Sequence, residues 1–416
     1  MRFIADFHIH SKFSRATSRE MDVETLAPWA KKKGIALLGT GDFTHPTYFA
    51  ELRSKLEPSG NGLFRLRKGD QGVQYILTTE VSNIYSQNGK VRRIHNLIFA
   101  PNFEVVEAIR SKLGNIGKLS SDGRPVFSFT AKDLTKMILD ISADCLIIPA
   151  HAWTPWFSIF GANSGFDSIE ECFGEMSPHI HAIETGLSSD PEMNWRWSAL
   201  DSMTLLSNSD AHSPNRLGRE ANAFNCSLDY QEITETIRKK DRNKLLFTIE
   251  FFPAEGKYHY DGHRQCGVIT SPFQTKANQY LCPNCRKKLT VGVMHRVEEL
   301  ADRPEGFIPK NAIPSIHLIP LEEILAEAME VRVGTKTVES EYERLIERGG
   351  SEFRILLDAT PDELALFVPP NILEGIIRMR QGKVSIVPGH DGVYGKINLF
   401  PERKEEGESK EQLKLF

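Results

Sequence analysis

Short apolar runs recur through the first 250 residues, and most are followed at once by side chains able to hold a metal. Phe3–Phe7 leads into His8 and His10, Ile35–Gly39 into Asp42 and His45, and Tyr75–Leu77 into Glu80. Leu146–Ile148 leads into His151, Ala182–Ile183 into Glu184, and Met203–Leu206 into Asp210 and His212. In one further run, Leu97–Phe99, the histidine (His95) stands in front. Helical spacing appears between the runs, with Val23, Leu26 and Ala30 inside 21–33 and Leu134, Ile138 and Ile141 inside 131–141. The alternation predicts an α/β fold over 1–250: parallel strands, crossover helices and a barrel-like sheet of about seven strands. Polar residues at the C-terminal ends of such strands fall where α/β barrels build their sites. An open doubly wound sheet is the alternative, weakened because no glycine-rich phosphate fingerprint follows the first strand.

The texture changes at 251–310, where aromatics, glycines and three of the six cysteines gather, so a small zinc-binding module is expected there. Helical patterns return over 311–400, as in LEEILAEAMEV, giving a mainly helical C-terminal domain that closes on a glycine-rich hairpin, VSIVPGHDGVYGKI. Residues 401–416 read as a solvated charged tail ending abruptly in QLKLF. No run approaches the ~18 apolar residues of a membrane span, and MRFIADFHIH is not a secretory signal. Scattered Cys145, Cys172 and Cys226 read as buried thiols, which with the absence of a signal suggests a cytoplasmic, monomeric protein. The net charge of −4 excludes coating of nucleic acid by bulk positive charge, so any such contact uses local patches.

Strand side chains alternate, so His8 and His10 point the same way and can share an ion, and Asp210 and His212 repeat that spacing. With Asp42, Glu80, His95 and His151 they make eight candidate ligands, more than one tetrahedral ion needs. Two or three divalent metals (Zn2+, Mn2+ or Mg2+) are therefore expected, the mixed imidazole and carboxylate set favouring Zn or Mn. Such clusters clamp the attacking and leaving oxygens in phosphoester hydrolysis, which makes Asp210, His212, Glu80 and His151 the catalytic candidates. A lone histidine beside a strand is usually a core residue, but six of 13 histidines interleaved with acids are hard to explain that way. His45 and Glu184 stay open between the two readings. Downstream, His263-x2-Cys266 and Cys282-x2-Cys285 fit a tetrahedral structural Zn2+, with His259 and His295 competing for the fourth position. A redox dithiol is the alternative.

The HxH opening, the acid after the second strand, the Glu80 of TTEVS, the His151 of PAHAW and the closing SDAH together resemble the PHP (polymerase and histidinol phosphatase) metal-dependent phosphoesterases. The resemblance covers about 1–250 and implies a distorted (β/α)7 barrel with a trinuclear Zn or Mn centre. The chain departs from the usual pattern in lacking an acid across Ser11–Ser18 and in separating Asp42 from His45. GKYHYDGHRQC, CPNC and HRVEELADRPEG behind such a barrel resemble the endonuclease Q family over nearly the whole chain. That resemblance implies a DNA repair endonuclease acting 5′ of deaminated bases (uracil, hypoxanthine, xanthine) and of abasic sites. A small-molecule phosphatase on the same barrel is the runner-up, and a non-catalytic adaptor the third reading.

An endonuclease reading a base inside a duplex must flip it out. The aromatic loop behind His151, with Trp153 and Trp156, is the candidate stacking element, a hydrophobic cap being the alternative. Arg216 and Arg219 are candidates for holding phosphate, or for pairing with acids. The ending Gln412-Leu413-Lys414-Leu415-Phe416 resembles the bacterial sliding-clamp-binding pentapeptide QLxLF, with Gln412, Leu413, Leu415 and Phe416 at its fixed positions. Damaged DNA and the sliding clamp are thus the expected partners.

Overall fold

A computed structural model describes residues 2–69 and 72–400. The tail and its QLKLF ending lie outside the described residues. The strand Arg2–Asp6 sits inside an 11-stranded mixed sheet. It runs parallel to Leu37–Gly39 and antiparallel to Ala221–Asn225. Leu37–Gly39 is parallel in turn to the long strand Gln74–Gln87.

Two findings correct the expected barrel of parallel strands. The first is direction. Gln74–Gln87 turns back on itself through Asn88 and Gly89, both at positive φ (53° and 73°), and Lys90–Ala100 returns antiparallel to it. That is the backbone of a two-residue hairpin turn, and Asn-Gly is its preferred sequence. Leu146–Pro149 then pairs antiparallel to Lys90–Ala100, which restores the original direction. The second is closure. Ala182–Glu184 and Thr204–Leu206 form their own parallel pair, and among the described residues no ladder joins that pair to its neighbours. The seams are bridged by other bonds. Ala152 N donates to Glu184 O (2.8 Å) on one side. On the other, the Asn222 side chain accepts from Ser207 N (3.0 Å) and donates to Ser207 O (2.6 Å). A side-chain amide there takes the place of a strand's backbone, so the sheet curves round without closing.

The interior is filled. Phe7 packs edge-on to Phe99 (5.2 Å) and Phe224 (5.9 Å), and Leu37, Ile76, Leu97, Ile148 and Leu206 complete a buried cluster. Polar chemistry is therefore displaced to the strand ends. Both expected helices are present. Val23–Lys33 is capped by Asp22 and stopped by Gly34 in the left-handed region (φ 90°). Ala131–Ile141 opens with a Thr130–Asp133 capping box. Cys145, Cys172 and Cys226 are buried thiols.

Beyond 250, Ser315–His317 adds to the main sheet parallel to Leu245–Glu250. The glycine-rich segment forms its hairpin, Ser385–Val387 with Lys396–Asn398, and Tyr260 bridges to His390. The helices Leu321–Ala328, Lys336–Gly349 and Pro370–Arg380 make up the C-terminal region. They are anchored to the first helix by a buried Lys33–Glu352 pair (2.6 Å), and Glu352 also accepts from the Tyr342 hydroxyl (2.8 Å). Among the described residues no helix is long and apolar enough to cross a membrane.

Candidate metal centre

His8 and His10 follow the strand Arg2–Asp6, and an Ile9–Ala211 bridge lays that segment beside Asp210. His8 Nε2, His10 Nε2 and Asp210 Oδ1 are buried and have no hydrogen-bond partner. The three residues' ligand atoms lie within 4.8 Å of one another. Each orphaned buried polar atom costs about 1–3 kcal/mol, so three that converge fit a shared cation and little else. Glu80, His95 and His151 form a second such group. Glu80 Oε1 is 2.8 Å from His95 Nδ1 and 3.0 Å from His151 Nε2. Its other oxygen is 3.4 Å from His10 Nε2, so this single carboxylate joins the two groups.

Direction explains His95. Because Lys90–Ala100 runs backwards, the residues before its apolar run lie at the end where the other strands finish, and His95 pairs in register with Ser82, just past Glu80. The backbone is strained at the same end: Asp42 (φ 43°), His151 (φ 31°) and Asp210 (φ 47°) all occupy the left-handed region. The His151 N–H is held by Glu184 Oε2 at 2.8 Å.

Both inner carboxylates are anionic. Burial pushes the Glu80 carboxyl up, but His95, Arg124 and His8 outweigh it and hold it well below the carboxylate range. Burial likewise opposes ionisation of Asp210, and His8 and His10 override it. Deprotonated carboxylates are what a cation requires.

Two further acids stand behind the imidazoles. Glu184 lies 2.9 Å from His8 Nδ1 and also accepts from Asn208 Nδ2 (2.9 Å). Asp42 Oδ1 lies 3.1 Å from His10 Nδ1, and its Oδ2 accepts from Ser11 N, Ser11 Oγ and Ser14 Oγ. Such carboxylate–histidine pairs fix the ring's tautomer and aim its other nitrogen. Asp42, expected as a ligand, is thus corrected to an orienting residue, because both its oxygens are committed. His212 is also displaced from the expected set. Its Nδ1 is 2.8 Å from Asp210 O, and its ring sits at the rim, 4.6 Å from that of His10. His45 caps the helix Pro46–Lys55 and stacks on Phe13 (4.3 Å). Among the described residues no third group converges at this mouth.

Arg124 joins the site without a signal in the sequence. Its guanidinium lies 2.8 Å from Glu80 Oε2 and remains partly exposed. It sits in a polar loop, and nothing in its spacing sets it apart from other arginines.

The proposed DNA contacts need correction. Trp153 is 1% exposed, donates to Asn194 Oδ1 (2.8 Å) and packs on Phe160 (5.1 Å), so it is a core residue. Arg219 donates to Ser209 O (2.8 Å) and braces the Asp210 loop, and Arg216 pairs with Glu323 (3.3 Å). Both arginines are engaged within the protein. Trp156 is 42% exposed and meets Tyr258 edge-on at 5.9 Å. With Pro155, Lys257 and Tyr394 these two line a cleft of about 420 Å³.

The Cys/His quartet also gathers. His263, Cys266, Cys282 and Cys285 bring their ligand atoms within 4.8 Å of one another. His295 is turned to Asp261 (2.6 Å) and His259 lines the cleft, so neither competes with His263. The chemistry of the set, one imidazole and three thiols, suits a tetrahedral divalent ion.

Known proteins resemble this chain along its length. The MJ0043 C-terminal domain family matches residues 320–383. Protein YqxK of Bacillus subtilis is 30% identical over 414 residues, covering 95% of this chain and 99% of that one. Protein MJ0043 of Methanocaldococcus jannaschii is 36% identical over 264 residues, 61% of this chain but only 32% of that longer protein. The solved lesion-specific endonuclease PfuEndoQ of Pyrococcus furiosus superposes with a TM-score of 0.85 at 34% identity, covering 96% of this chain and 95% of that one. The chain belongs to the endonuclease Q family. Another endonuclease Q structure, in complex with a 27-mer duplex with an abasic lesion at its active site, gives a TM-score of 0.84 at 34% identity over 97% and 98% of the two chains. Membership makes this chain a metal-dependent hydrolase of the endonuclease kind.

Proposed function

We propose that this endonuclease Q family member repairs DNA by hydrolysing the phosphodiester 5′ of deaminated bases (uracil, hypoxanthine, xanthine) and of abasic sites. The observation that carries the reading is the convergence of partnerless His8 Nε2, His10 Nε2 and Asp210 Oδ1 beside the Glu80–His95–His151 group. Divalent ions bound there supply Lewis acidity and water activation, as in two-metal phosphoesterases. The protein's part is to aim the imidazoles through Asp42 and Glu184 and to keep Glu80 and Asp210 ionised. Arg124 faces the same mouth and is placed to take a phosphate oxygen. The Cys/His quartet holds Zn2+ as a structural staple.

The displaced nucleotide enters the cleft beside His151, where Trp156, Tyr258 and Tyr394 offer ring faces. That cleft is coupled to the centre by Thr154, whose Oγ1 lies 3.2 Å from His151 Nδ1. The test is a labelled duplex carrying one deoxyuridine or deoxyinosine, incubated with Mn2+ or Mg2+, with an EDTA control. A nick on the 5′ side, abolished by EDTA, is expected. No nicking alongside fast turnover of a chromogenic phosphomonoester would overturn the reading in favour of a phosphatase.

A further inference from the structure

We infer that the Cys/His module is a DNA-docking arm, gripping phosphates through Lys276, Lys287 and Lys288 and presenting Phe273 to the nucleic acid. The inference rests on the endonuclease reading above.

The first observation is charge. Asp+Glu number 55 in the chain, yet from Gly262 to Val297 there is no acidic residue, while Arg264, Lys276, Arg286, Lys287, Lys288 and Arg296 all fall there. Lys276, Arg286, Lys287 and Lys288 are exposed, and among the described residues none of their side chains has an ionic partner. This contrasts with the rest of the surface, where exposed cations such as Lys32 and Arg2 meet acids. In a protein of net charge −4, an unneutralised basic knob is a local feature, and a polyanion is the partner it complements.

The second observation is Phe273. Its ring is 79% exposed on the short helix Pro272–Ala277, with Tyr280 and Ile269 also exposed nearby in the chain. An aromatic in water beside lysines suits a partner with charged edges and apolar faces, which describes nucleic acid.

The third is placement. Gly262 and Thr290 exchange both backbone hydrogen bonds, so the module grows directly out of the Lys257–Tyr260 strip that lines the cleft. Arg296, on the helix that follows, donates to Phe160 O (3.1 Å) and Phe166 O (3.0 Å) behind His151. A duplex with its lesion at the metal centre has the module beside it.

Two variants of the full chain test this: the triple Lys276→Gln, Lys287→Gln, Lys288→Gln, and the single Phe273→Ala. Zinc content and melting temperature establish that each folds. Binding to a lesion-bearing duplex is followed by anisotropy from 50 to 200 mM KCl. The triple variant is expected to flatten the slope of log K against log[salt] by roughly 2.7, about 0.9 for each phosphate that a lysine no longer neutralises. Phe273→Ala is expected to raise KM roughly five-fold or more with kcat unchanged. If the wild type nicks the duplex and the folded variants keep its slope and KM, the arm is overturned alone. If the wild type neither binds nor nicks, the endonuclease reading falls and the arm with it.

Discussion

Asp210 and Asp42 are both acids beside His10, yet they do different work, and single substitutions separate them. Asp210 offers a free oxygen to the ion. Asp210→Ala is expected to abolish nicking and lower the bound-metal stoichiometry while leaving the melting profile close to wild type; retained activity would refute its role. Asp42→Ala leaves every free ligand atom in place but unpins the His10 ring. It is expected to weaken metal affinity by about 10–100-fold and to recover activity in excess Mn2+, which titration of rate against Mn2+ would reveal. At this scale the sequence is legible where geometry is local: strand alternation alone places His8 and His10 on one side. It is silent where partners are remote. Whether an oxygen of Asp42 or Glu184 is free depends on hydrogen bonds between residues 31 and 176 positions apart. Trp153 misleads for the same reason, since a buried Trp and an exposed one look alike until Asn194 is seen to hold one of them.

Elements carry their own lesson. The antiparallel return at Lys90–Ala100 is written in the chain twice, in the Asn88-Gly89 pair and in His95 standing ahead of its apolar run. The strand–helix rhythm elsewhere obscures both. The strand Leu245–Glu250 brings a different consequence. It ends in Glu250, and Glu220 lies just before the neighbouring strand, so two carboxyls are enclosed together. Burial, reinforced by Asp190, pushes Glu250 up to about 8, although Thr185, Thr248 and His317 act to lower it. Burial and Glu250 drive Glu220 well above the usual range. The fold therefore favours the protonated acids. Their contribution to stability is complete below the unfolded value, near 4.5, and is lost as pH climbs through about 8. Glu250→Gln is expected to melt close to wild type at about pH 4.5 and above it once the pH exceeds about 8. Parallel melting curves across that window would contradict this.

Over the whole molecule, the order of segments is readable from the sequence and their joining is not. A helical C-terminal region and a Cys/His insert stand out by composition. No local pattern announces that Ser315–His317 extends the first sheet or that Tyr260 bridges to His390, because these pairings link segments far apart in the chain. The QLKLF ending belongs to this scale too. As a short apolar peptide on a charged tether it is read as a sliding-clamp ligand. Deleting Gln412–Phe416 is expected to leave nicking of short duplexes unchanged and to remove clamp binding in a pull-down with purified clamp; undiminished capture would reject the assignment. One more property follows from the position of Arg2–Asp6 inside the sheet. It is the first strand to leave the ribosome, but Ala223 and Phe224, its partners on one side, come over 200 residues later. At about 5–20 residues per second, that edge stays open for roughly ten to forty seconds of synthesis. His8 and His10 emerge long before Asp210, so the nascent chain cannot complete its ion site, and loading of the centre is confined to the period after translation has passed the final ligand.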